Sequence, residues 1–143
     1  MTCFQLAERF IGEIKERPGA DKDHPFILWA HELVGLSDVD DEVPWCSSFV
    51  NTIAWILRMP RSKSARARSW LDVGHAIDLQ DARPENDVVI LRRGVNNVTA
   101  GHVGFYAGFA GGNIHLIGGN QSNSVTLAPF IVSDLLGVRR LDA

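Results

Sequence analysis

The chain has 143 residues, 45% of them hydrophobic, and a formal net charge of −3; this suits one domain that buries roughly two-thirds of its unfolded surface. The acidic balance excludes the clustered basic face of a nucleic-acid binder, and the ordinary composition excludes a disordered or fibrous chain. No stretch has the apolar length of a membrane span, and two cysteines, Cys3 and Cys46, cannot build a disulfide framework.

From the start of the chain, Phe4, Ala7, Ile11 and Ile14 recur at helical spacing, which predicts a helix running up to Pro18 and Gly19. Cys3 reads as a residue of that helix. The segment lacks a basic stretch followed by an apolar core, so no secretory signal is expected there. A second helix is predicted over 25–34, with Asp23 as its cap and Pro25 in its first turn. The acidic loop 35–44 follows, with Asp38 and Asp40 just ahead of Cys46. It lacks the glycine and closing glutamate of an EF-hand loop, so a solvated loop is expected and no metal site.

A third helix is predicted over 46–57 and a shorter one over 64–72. Arg58, Arg61, Lys63, Arg66 and Arg68 give this stretch a basic character, read as a solvated face, with docking of an anionic polymer as the alternative. Strand patterns then take over, at 87–93, 101–109, 113–120, 124–130 and 135–141. Helices followed by strands indicate an α+β fold with an antiparallel sheet, in a single domain spanning 1–143.

Cys46 opens the third helix, where free backbone N–H groups and the helix dipole favour a thiolate. A thiol is expected to be exposed and easily ionised there, although a buried structural cysteine is the equal alternative. A thiol nucleophile needs a base and a group to orient that base. Of five histidines, His24 precedes a helix, His31 reads as a core or boundary residue, and His75 falls in a loop. His102 begins a strand, at the rim of a sheet, and is the preferred base. The glycines of 108–113 mark a hairpin in which facing residues sum to 221 or 222. His102 then faces Gly119 or Asn120, so Asn120 is the orienting candidate and His115 the runner-up. Cys46, His102 and Asn120 thus follow the order of a papain-like thiol hydrolase.

Five segments in order, "PWCSSFV", "SARARSWL", "GHVGFYAG", "GGNQSNSV" and "LLGVRR", resemble the NlpC/P60 and CHAP-type peptidoglycan hydrolases, above all their compact phage- and prophage-borne branch. The resemblance runs from about residue 7 to residue 140. It implies a papain-like NlpC/P60 (CHAP-like) fold, N-terminal helices packed on a C-terminal antiparallel sheet. It also implies a thiol peptidase or amidase acting on bacterial cell-wall peptide without a cofactor. Cys46 matches the nucleophile, His102 the general base and Asn120 the polar third residue. Many NlpC/P60 members carry histidine in that third role.

Trp45 and Trp70 are candidates to wall a substrate groove, with burial in the core as the even alternative, and Gln121 and Ser122 are candidate peptide contacts. A monomer is expected, made in the cytoplasm and reaching the wall through a holin or a delivery apparatus, with no membrane insertion and no nucleic-acid partner. An injected effector would be paired with an immunity protein. Two other readings stay open: a papain-like toxin acting on protein amides, and a wall- or tail-binding module without catalysis.

Overall fold

The structure, a computed structural model, describes residues 1–17, 23–36 and 44–142. Three α-helices, α1 (Cys3–Glu8), α2 (Pro25–Leu33) and α3 (Cys46–Ile56), precede six strands. The strands are β1 (His75–Ile77), β2 (Asp87–Arg92), β3 (Gly101–Ala110), β4 (Asn113–Gln121), β5 (Ser124–Ile131) and β6 (Leu135–Arg140). They form one antiparallel sheet in the order β1-β6-β2-β3-β4-β5. The α+β reading therefore holds, with the helices first and the sheet after them.

Alternation along the strands divides the apolar residues between two faces. Val88, Ile90, Val103, Phe105, Ile117 and Val125 pack with Cys3 and Ala7 of α1 and with Phe49, Val50 and Ile53 of α3. Val89, Leu91, Tyr106, Ile114, Leu116 and Val138 form a second cluster on the other face, joined by Phe130 and Leu135. α3 holds its place because Cys46, Phe49, Val50, Ile53 and Ala54 recur at helical spacing and are all buried. It ends in a Schellman arrangement: Arg58 adopts φ 57, Met59 N–H donates to Ala54 O at 2.8 Å and Arg58 N–H to Trp55 O at 3.2 Å.

Three expectations change. The first helix stops at Glu8 instead of running towards Pro18, because Gly12 turns the chain at φ +78 and donates to Val125 O. Lys15 then bridges Ser124, so pairing with the sheet overrides helical periodicity. The N-cap of α2 is His24, whose Nδ1 accepts from Phe26 N–H at 3.2 Å, in place of Asp23. His75, placed in a loop from the sequence, begins strand β1 opposite Arg140. The stretch 64–72 forms a 3₁₀ helix over Ala67–Asp72. Asp38 and Asp40 lie outside the described residues.

Asp87 carries the one charge buried deeply beneath the sheet's edge among the described ion pairs. Its side chain is 1% exposed and accepts from Arg140 Nε at 2.8 Å, from Arg140 Nη2 at 2.9 Å and from Arg83 N–H at 2.7 Å. Removing the guanidinium alone strands the carboxylate in a poorly solvated place. Arg140→Leu is therefore expected to destabilise the fold by about 3 kcal/mol, read from urea unfolding midpoints. A loss below about 1 kcal/mol would show that Asp87 finds water or another donor.

Candidate active site

α3 brings Cys46 to one wall of a cavity of about 270 Å³, which Arg66, Ala67, Arg93, Gly101 and Asn120 also line. The sulfur lies against the strand that carries His102, close enough for the backbone amide of Val103 to favour its ionised form. His102 faces the other side of β3. It pairs with Leu91 in the ladder, and its ring stacks on Phe130 with centroids 5.1 Å apart and 26° between planes. Among the described residues no hydrogen bond joins Cys46 to His102. Arg93 stands between their chemistries: its Nη2 donates to His102 Nδ1 at 3.2 Å, and its charge also acts on the Cys46 thiol.

The other imidazole nitrogen is held by Gln121. His102 Nε2 and Gln121 Oε1 are 2.8 Å apart, so with Nδ1 accepting from Arg93 the ring carries its proton on Nε2 and donates it to Gln121. The Gln121 amide is fixed in turn, its Nε2 donating to Thr126 O at 2.8 Å and Leu116 O at 3.3 Å. Asn120 makes no such contact and lines the Cys46 cavity instead.

The reason is a break in alternation. Phe105 pairs with Ile117 and Tyr106 with Leu116, sums of 222, which would bring residue 120 opposite His102. The ladder between β4 and β5 slips between Gly118 and Gln121, and Asn120 takes a left-handed φ of 59. One residue is thus absorbed, and Gln121 returns to the face that His102 occupies. Two glycines make room for this. A Cβ on Gly118 would lie 2.5 Å from Gln121 Oε1, and one on Gly119 would lie 2.5 Å from the Trp45 ring.

The electrostatics describe a resting site. Burial raises the Cys46 pKa; the amides of Val103, Ser47 and Cys46 and the charge of Arg93 oppose that without outweighing it. The thiol, 6% exposed, is thus neither the open nor the ionised group expected at a helix start. Burial lowers the His102 pKa from 6.5 to about 4, with Arg93 adding to the effect and Gln121 opposing it. At neutral pH the pair is thiol and neutral imidazole.

This depression makes stability depend on pH. Below pH 6.5 the unfolded chain protonates this histidine while the folded one does not, so its contribution, complete above 6.5, is lost as pH falls towards about 4. At about 1.4 kcal/mol per unit the loss is roughly 3 kcal/mol. Urea midpoints for wild type and His102→Asn between pH 7 and 4 are expected to converge as pH falls. Parallel curves would show that the imidazole is not desolvated.

The other sequence candidates are placed elsewhere. Trp45 and Trp70 wall no groove; both are fully buried. Trp45 Nε1 donates to Glu16 Oε2 at 3.2 Å, and Trp70 Nε1 to Ser47 Oγ at 3.0 Å. Ser122 is exposed in the two-residue turn between β4 and β5, where it and Asn123 both have positive φ, as a type I′ hairpin requires. His115 pairs with Gly108, six residues along β3 from His102, and contacts Ala110 O. His31 is buried and shares a 2.9 Å hydrogen bond with Ser48 Oγ. No group of metal-ligating side chains occurs among the described residues.

Sequence reasoning did not single out Arg93, and it read Gln121 as a peptide contact, whereas the structure sets it against His102. The first was reachable: the β2–β3 pairs sum to 193, which puts Arg93 one step beyond the last pair, beside His102. The second depends on a left-handed asparagine that alternation does not foresee.

Among solved structures, NlpC1 from Trichomonas vaginalis matches 90% of the chain at 23% identity with a TM-score of 0.54. The chain has the NlpC/P60 fold. An NlpC/P60 family protein from Bacillus cereus ATCC 10987 matches 66% of it at 21% identity, with a TM-score of 0.46. The chain spans 48% of the first structure's length and 30% of the second's. No family model and no curated protein matches it. In this NlpC/P60 fold the helix–sheet contact brings Cys46 against β3, while β3 and β4 together carry the His102–Gln121 pair.

Proposed function

We propose that the protein is a peptidoglycan hydrolase that cleaves an amide of bacterial cell-wall peptide by a thiol mechanism, as an amidase or endopeptidase. The observation that carries this reading is a cysteine at the start of α3 packed against β3, the strand that also carries His102, whose ring is held at Nε2 by Gln121 and at Nδ1 by Arg93, a residue that also lines the Cys46 cavity. Because His102 faces the opposite side of β3 from Cys46, its ring must swing to the Cys46 side; Cys46 would then transfer its proton to the imidazole and attack the carbonyl carbon. The free N–H groups of the first turn of α3 are suited to the developing oxyanion. His102 would return the proton to the leaving amine, then take one from the water that releases the acyl group. Gln121 keeps the resting ring in the required tautomer. Delivery to the wall through a holin or an injection apparatus belongs to the same proposal.

A non-catalytic wall-binding module is the second reading, favoured by the buried, protonated thiol and the missing Cys46–His102 hydrogen bond. Digestion of purified sacculi under reducing conditions separates the two, with released fragments identified by mass spectrometry and Cys46→Ala as the blank. New amino termini formed by wild type alone would support hydrolysis and name the bond. Retention on sacculi without release from several wall chemistries would leave the binding module.

A further inference from the structure

Two arginines, Arg66 and Arg93, line the Cys46 cavity, the charge of Arg93 acts on the thiol, and neither pairs with a carboxylate among the described residues. Arg68, between them in sequence space, is already held by Ala100 O at 3.0 Å and Asn97 O at 2.8 Å. Arg93 makes a single hydrogen bond, to His102 Nδ1, the nitrogen that must be free for a proton from sulfur. Cationic Arg93 bonded to a neutral acceptor, with Arg66 lining the same partly enclosed space, gives the cavity a character suited to an anion.

We propose that this cavity takes a carboxylate of the substrate, held by Arg66 and Arg93, and that seating it draws Arg93 away from His102 Nδ1. The inference deepens the hydrolase reading and rests on it for the scissile amide that neighbours this carboxylate. An Arg–carboxylate pair is a stronger, charge-assisted bond than Arg93 makes with a neutral imidazole. Its formation frees the Nδ1 lone pair to accept a proton. It also neutralises the charge that opposes imidazolium formation, so the base strengthens as the substrate arrives. A peptide with a carboxamide in place of the carboxylate would leave Arg93 on the imidazole.

Alkylation tests the site without any hydrolysis. Iodoacetate and iodoacetamide both form a carbon–sulfur bond at cysteine, expel iodide and release the thiol proton, and differ in whether a carboxylate is present. Rates at Cys46 would be followed by peptide mapping and normalised to free cysteine in the same buffer. The iodoacetate to iodoacetamide ratio at Cys46 is expected to be raised about tenfold or more, to fall towards that of free cysteine in Arg93→Gln, and to recover largely in Arg93→Lys. A wild-type ratio equal to that of free cysteine overturns the proposal, whether or not the variants fold. So does a raised ratio that Arg93→Gln leaves unchanged. Protein that digests sacculi but shows no preference for iodoacetate keeps the hydrolase reading and loses the anion site; protein that releases nothing yet prefers iodoacetate does the reverse.

Discussion

Cys46→Ala is expected to lower wall-peptide hydrolysis by at least about 10³-fold while changing stability by no more than about 1 kcal/mol. The two parts follow from different features. The activity loss follows because no other nucleophile lines the cavity from a helix N-terminus; the neighbouring Ser47 hydroxyl donates to Ser64 O at 2.6 Å and accepts from Trp70 Nε1. The small stability change follows because alanine keeps the helix and removes one buried sulfur, whose neighbours are mostly backbone and short side chains. His102→Ala should cost about as much as Cys46→Ala, and the double variant little more than either, since the two groups share one step. Steady-state rates on an isolated wall peptide would measure all three. Residual activity above about a tenth in Cys46→Ala would remove the thiol from the mechanism.

The second large effect separates two adjacent residues. Gln121→Leu is expected to reduce kcat by on the order of 10²-fold, because the imidazole loses the acceptor that fixes its tautomer and a buried Nε2–H is left unpaired. Asn120→Ala should reduce it by less than about tenfold, through lost contacts in the cavity and the added strain of alanine in a left-handed backbone that asparagine tolerates better. A structural role for Gln121 would lower stability alone, so the decisive reading is kcat at saturating substrate in folded protein, together with the pH profile. The buried imidazole is held neutral by its surroundings, and without Gln121 its acid limb should shift. The reverse order, with Asn120→Ala the more damaging, would restore the assignment made by simple strand alternation.

The contrast between those residues also shows what the sequence could reveal. Five of the six described strands announce themselves through β-branched runs and glycine turns, with ends within a residue of the expected ones, whereas the three-residue β1 went unforeseen. The sum rule for the β3–β4 hairpin is 222 near His102, as expected, although it becomes 223 beyond a bulge at Ala107. Alternation then fails over one residue, since the left-handed Asn120 and the slipped β4–β5 ladder are tertiary outcomes of Gly118 and Gly119 fitting under Gln121 and Trp45. Helical periodicity likewise fails after Glu8, where pairing with β5 offers the backbone better partners than another turn of helix. The burial of Cys46 was not legible, because a position at a helix start does not show what packs over it.

That burial has a consequence for the protein's chemistry with oxidants. Thiolate attacks peroxide and disulfides far faster than thiol does, and both cysteines of this chain are buried, unpaired and shifted towards the thiol form. A nucleophile kept protonated until its cavity is occupied resists sulfenic acid formation and mixed-disulfide exchange in the meantime. On the proposed reading latency and durability are the same property, and occupancy of the cavity, not the redox poise of the surroundings, would govern when the sulfur becomes reactive.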